Sequence, residues 1–399
     1  MRLLKILLIL LIFIFPIAEV GRIQFSNGVA VSLNDIFLLG LISAWIIYIY
    51  RKSEKISKGE LFKPIAGFLA IALASLLLNL VNLSFDRFLI SFLYLARWAS
   101  YALIYFIVKD FDAKFKLKVS FAMLFSGSIV VLLGFIQYFF YPSLRNLYYL
   151  GWDEHLYRMF SSFLDPNFAG AFFALFLIFS ISFIQKFIKG KKWLSFSAVG
   201  VVAALTLCAL YLTYSRSALI MLIVSIIAYL FLINKKKFIL LILFGLLLSI
   251  FILPRSFKSE GTNFLRAASS EARVKTTGEA LSVIQKNPIY GVGFNAYRYA
   301  RNEQGMNGSQ WQVSHGAAGT DNSFLFVLAT TGIIGFTAFL WLIYKTARLG
   351  IINIKKNKFS IVLLSIIAGL VFNSLFINSF FYVLILEWVW ILAGLTENS

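Results

Sequence analysis

Residues 88–108 read FLISFLYLARWASYALIYFIV, an apolar run with one charge, Arg97, near its middle. About twenty apolar residues in a helix rise roughly 30 Å, the thickness of a hydrocarbon core. In lipid a lone strand would leave its backbone polar groups unpaired, so such a run is helical. Eleven comparable runs lie near 3–20, 34–50, 64–82, 119–141, 167–185, 193–213, 217–234, 238–254, 322–345, 360–378 and 380–396. Together they predict an all-α polytopic membrane protein with about 12 transmembrane helices, forming a single membrane domain over 1–399.

Composition agrees. The chain is 60% hydrophobic and 14% charged, against roughly 25% charged in soluble domains. A net charge of +20 would suit a nucleic-acid partner, but the cations lie in short clusters between apolar runs, which is how membrane topology is written. No nucleic-acid partner is expected; membrane lipids are. Cys208 stands alone inside an apolar run, and His155 and His315 are the two histidines. A disulfide, a thiolate cluster and a His-rich metal site are excluded, and neither metal nor cofactor is expected.

The basic clusters alternate from connection to connection. Arg2 and Lys5, then 51–63, 109–118, 186–192, 235–237 and 345–358 carry most of the lysines and arginines. The short intervening connections hold Arg22, Arg87, Arg145, Arg158 and Arg216. By the positive-inside rule both termini are cytoplasmic. The first run is long for a signal peptide and lacks a small-x-small cleavage site, so it counts as a span. Two outer connections exceed a plain turn: a first outer loop, 141–165, and a long extracytoplasmic loop, 254–321, between spans 9 and 10. Within the second, 264–286 has the pattern of an amphipathic helix with Leu265, Ala268, Ala272, Leu281 and Ile284 toward one side. Asn287-Pro288 ends it, and Gly291-Val292-Gly293 marks a tight turn.

Candidate chemistry gathers on the outer side. Arg216 lies in Tyr211-Leu-Thr-Tyr-Ser-Arg-Ser217, a very short turn between apolar runs; its guanidinium fork suits a phosphate there, or it anchors the helix to lipid headgroups. Arg97 is costly at mid-membrane and needs either a pocket or a partner, Glu387 in the last run being the other deep charge. Arg158 precedes Asp165-Pro166-Asn167, where Asp165 suits an N-cap and Pro166 a first turn; an outward-facing helix N-terminus also accepts anions. Arg266 and Arg273 share a face of the loop helix. His315 is a candidate general base for a hydroxyl, while Ser314, His315 and Asp321 lack the elbow of a hydrolase triad. Asp110-Phe-Asp112 matches a sugar-nucleotide Asp-x-Asp pattern, but in a cytoplasmic connection among lysines.

The order of these pieces resembles the O-antigen ligase/polymerase superfamily. The likeness rests on the twelve-span plan, Arg158…Phe163-Leu-Asp-Pro-Asn167, Tyr214-Ser-Arg-Ser217, and the long loop with Arg273, Asn287-Pro-Ile-Tyr-Gly-Val-Gly293, Asp321-Asn-Ser-Phe-Leu325 and Thr331-Gly-Ile-Ile-Gly335. The resemblance implies a metal-independent glycosyltransferase of the C type in the bacterial inner membrane. Its donor would be an undecaprenyl-diphosphate-linked glycan and its acceptor a hydroxyl of another glycan, a lipid A-core or a protein. Arg216 and Arg273 would grip the diphosphate, with Arg158 and Arg97 behind them. Asn167, Tyr214, Arg266 and Asn322 are candidates for the substrate pocket. Many family members place histidine directly before the asparagine that opens the span, where this chain has Asp321. The base is therefore His315 or Asp321. A transporter or flippase of lipid-linked glycans is the alternative, but would show polar residues near the midplane in repeated halves.

Overall fold

The structure, a computed structural model, describes residues 1–25, 29–52, 58–191, 193–252, 259–264, 268–306, 311 and 318–397. A helix forms at each expected run: α1 (Arg2–Ile14), α2 (Leu33–Lys52), α3 (Phe62–Leu78), α4 (Phe85–Lys109), α5 (Ala113–Phe140), α6 (Pro166–Lys189), α7 (Trp193–Leu212), α8 (Arg216–Leu232), α9 (Ile239–Ile252), α12 (Ser323–Asn353), α13 (Phe359–Asn373) and α14 (Val383–Thr396). The long connection adds α10 (Ala268–Lys286) and α11 (Tyr297–Glu303). Among the described residues, α2, α4, α5, α6, α7 and α12 are long and apolar enough to cross a membrane, while α3, α8, α13 and α14 are apolar and shorter. The chain is a polytopic membrane protein. A small hairpin between α1 and α2 was not legible in the sequence: β1 (Ile23–Gln24) pairs antiparallel with β2 (Ala30–Val31).

The core forms around α6, which is apolar on all sides and therefore buried. It packs on α5, α7, α8 and α13. Phe172, Phe176 and Phe179 surround the indole of Trp388 on α14, with ring centroids 5.0, 5.9 and 5.5 Å away. Each such edge-on contact adds about 0.5–1.5 kcal/mol beyond area burial.

One end of the bundle is tied by polar contacts among helix starts and finishes. Lys5 pairs with Asp112, Arg348 with Glu60 at 3.5 Å, and Lys116 Nζ donates to the Glu397 carbonyl at 2.6 Å. Asp112 also caps α5, accepting from Phe115 N at 3.1 Å, and Asp110 pairs with Lys109 at 2.7 Å. The Asp-x-Asp carboxylates thus serve capping and pairing at this end. The longer connections gather at the other.

At that other end the loop motif locks into a break in α12. Gly332 has φ 63° and ψ −168°, outside helical geometry, a region essentially reserved for glycine. The carbonyls of Ala329 and Thr330 accept instead from Val292 N and Gly293 N, both at 3.0 Å, and Ile333 N donates to Pro288 O at 2.9 Å. From α3, Ser75 Oγ donates to Tyr290 O at 2.6 Å and Asn79 Nδ2 to Gly291 O at 3.0 Å. A Cβ on Gly332 would overlap the Ile289 carbonyl, and one on Gly291 the Thr330 backbone. The two glycine motifs, far apart in sequence, are the two halves of one joint.

The joint fixes the register of α10, and the expected face must be corrected. Arg273, Thr276, Ala280, Val283 and, as expected, Ile284 turn toward the protein, whereas Ala272 and Leu281 are exposed. Leu265 lies outside the described residues. Apolar side chains occur on both sides of this helix, so periodicity alone could not choose; docking of 287–293 against α12 does.

Candidate active site

A cavity of about 460 Å³ opens at the end where the long connections meet, within the 300–1,000 Å³ range of small-molecule sites. Five stretches far apart in sequence wall it: the hairpin region, 94–98 of α4, 151–168, the long connection with the start of α12, and 377–383. Of the expected site residues, Arg97, Asn167, Arg273 and Asp321 line it. Arg158, Arg216, Tyr214 and Asn322 are not part of the lining, and His315 and Arg266 lie outside the described residues.

Arg273 reaches the cavity from the inner face of α10, 5.9 Å above the Phe376 ring. Partial burial pushes its pKa below the usual guanidinium value; the Asp321 and Asp165 carboxylates oppose this, and the nearby Arg216 adds to it. It remains a cation at any physiological pH. Arg216, the first residue of α8, crosses to α10, where Nη2 donates to Ser270 Oγ at 3.0 Å. Two guanidiniums close enough to repel each other at a helix start make a ready anion site.

Asp321 sits just ahead of α12. Its side chain is open to the cavity, yet the surrounding walls withdraw it from bulk water, and this desolvation pushes its carboxyl above the ordinary range. Arg273 opposes the rise, while Asp165 and Asp153 add to it. The direction is the one a general base needs. Asn322 caps α12, its Oδ1 accepting from Phe324 N at 2.8 Å and Leu325 N at 3.1 Å, and Nδ2 donates to Leu375 O at 3.0 Å.

Arg158 is buried, 7% exposed, and acts as a strut. Its Nε donates to Thr213 O at 2.9 Å and Nη2 to Asn167 Oδ1 at 3.3 Å; Ser215 Oγ donates to the same oxygen at 3.2 Å. The strut fastens the start of α6 to the turn before α8, which orients Arg216. Tyr214, in that turn at φ 51°, is buried against Phe264 with centroids 5.2 Å apart. Asp165 caps α6 as expected, accepting from Asn167 N at 2.6 Å.

Arg97 does not pair with Glu387, the partner considered from sequence. It meets Asp35 of α2 through Nε and Nη2, each at 2.8 Å, and Asp35 also accepts from Tyr101 Oη at 3.1 Å and Ser32 N at 2.7 Å. Glu387 instead accepts from Asn34 Nδ2. Two neighbours on α2, Asn34 and Asp35, thus take one deep charge each.

Three lining groups escaped the sequence reading. His155 Nε2 lies 3.8 Å from Asp165 Oδ2, Arg298 enters from α11, and Glu19 pairs with Arg22 at 2.7 Å. Among the described residues, no group of three or more His, Cys, Asp or Glu is arranged to hold a metal.

The fold and cavity define a polytopic membrane protein with an arginine- and carboxylate-lined pocket at one end of its bundle. Residues 201–340 match the family model described as O-antigen ligase. The match covers Arg216, Arg273, the 287–293 turn, Asp321 and the break at Gly332; Arg97, Arg158 and Asn167 precede it. No curated protein matches the chain.

Proposed function

We propose that the protein transfers a glycan from an undecaprenyl-diphosphate carrier to an acceptor hydroxyl at the outer face of the bacterial inner membrane. The carrying observation is that Arg273 and Asp321, both inside the family-matched segment, face one cavity and act on each other electrostatically. Arg273 and Arg216 hold the diphosphate. The acceptor oxygen attacks the anomeric carbon as the bond to the diphosphate breaks, and the guanidiniums stabilise the charge left on the departing phosphate. The acceptor proton passes to Asp321 or His315. Because the arginines bear the phosphate charge, no metal is required, and a chelator should leave turnover unchanged. On this reading both termini are cytoplasmic and the cavity faces outward, which the distribution of basic clusters supports.

The testing experiment uses purified protein in proteoliposomes with a lipid-diphosphate-linked glycan. Transfer produces a new glycosidic bond and free undecaprenyl diphosphate. Movement of intact donor across the bilayer without new bonds would favour a flippase instead. The break in α12, a feature such a transporter could use, is filled by the 288–293 turn.

A further inference from the structure

Arg273 lines one part of the cavity, and another part has a different character. Its wall comes from outside the family-matched segment: Glu19, Arg22 and Gln24 near the hairpin, Trp152 and Asp153 of the first outer loop, and Asn378 ahead of α14. Glu19 neutralises Arg22 at 2.7 Å, and the Arg22 guanidinium lies 5.6 Å from the Trp152 ring centre. With Asp153 unneutralised by that pair, this wall does not attract a diphosphate. Among the described residues, it holds two buried polar atoms with no hydrogen-bond partner, the donor Nε of Arg22 and the acceptor Oδ1 of Asn378. Buried polar groups of native proteins are nearly always satisfied, so such orphans call for a ligand or a water.

A sugar hydroxyl both donates and accepts, which is what an orphan donor and an orphan acceptor on two residues of one cavity wall require. We infer that this wall is the sugar subsite for the acceptor, with Arg22 and Asn378 as its specificity-determining contacts. The inference rests on the proposed glycan transfer. In that reaction the acceptor approaches the anomeric carbon from the side opposite the departing diphosphate, hence away from Arg273 and Arg216. The family-matched segment then grips the phosphate, and the hairpin and first outer loop select the sugar.

The test is binding to the full-length protein in detergent by saturation-transfer NMR. The probes are inorganic pyrophosphate and the methyl glycosides of glucose, galactose, N-acetylglucosamine and rhamnose. At least one glycoside should bind, and Arg22→Gln and Asn378→Ala should each weaken it about 5- to 10-fold, the worth of one hydrogen bond. Both variants should bind pyrophosphate like the wild type, which also reports that they fold. Arg273→Ala should do the reverse. Glycoside binding unaffected by both wall variants, or absent from the wild type, overturns the sugar subsite. Pyrophosphate binding indifferent to Arg273→Ala would instead overturn the glycan-transfer proposal on which it rests.

Discussion

Arg97 and Asp35 meet through two parallel contacts of 2.8 Å between α4 and α2, with side chains 19% and 12% exposed. Removing one member of such a pair strands the other charge, at a cost of about 3–5 kcal/mol. Asp35→Ala should therefore melt well below the wild type in detergent, while Asp35→Leu with Arg97→Met should recover much of the loss. A single variant as stable as the double would show that the pair carries no such role.

The joint between the 288–293 turn and α12 depends on Gly332. Gly332→Ala adds a Cβ against the Ile289 carbonyl and a conformational strain of about 1–3 kcal/mol. It should lower the melting temperature and expose the 287–293 segment to protease. Unchanged proteolysis would mean that the break tolerates a side chain.

Asp321 gives a pH signature with a definite sign. Its folded pKa is raised, so its protonated form favours the fold. That contribution is complete below the ordinary carboxylate pKa of about 3.9 and is lost as pH rises through the folded value. Asp321→Asn should thus be more stable than the wild type at neutral pH, with the difference vanishing toward pH 3–4. Thermal melts across pH check this. A variant less stable at pH 7 would contradict the desolvation of this carboxyl.

Arg158 should behave differently from the arginines at the cavity. Because it braces Thr213 and Asn167, Arg158→Ala should lose thermal stability and turnover together. Lysine cannot reach two acceptors with the same planar fork, so Arg158→Lys should not restore either. A variant that loses turnover while melting like the wild type would move Arg158 from strut to substrate contact.

The helix plan was legible because lipid imposes a simple rule: a crossing run must be long, apolar and helical. The cap Asp165 was legible for a similarly local reason. What failed were pairings across space. Arg97 announced itself as a costly charge, but Asp35 lies 62 positions away at the start of another helix, and nothing local marks it as the partner. The face of α10 was read only in part, Ile284 packing inward but Ala272 and Leu281 exposed, because its register is set by the joint with α12 and not by its own periodicity. His155 and Arg22 look like ordinary loop residues until five separate stretches close around one cavity.

The most direct test of the account is transfer from an undecaprenyl-diphosphate-linked glycan by the purified Arg273→Ala and Arg216→Ala proteins. Loss of phosphate-charge stabilisation should lower turnover about 10²–10³-fold, with melting temperatures near that of the wild type. If both variants transfer glycan at the wild-type rate, the arginines do not hold the diphosphate and the central claim is wrong.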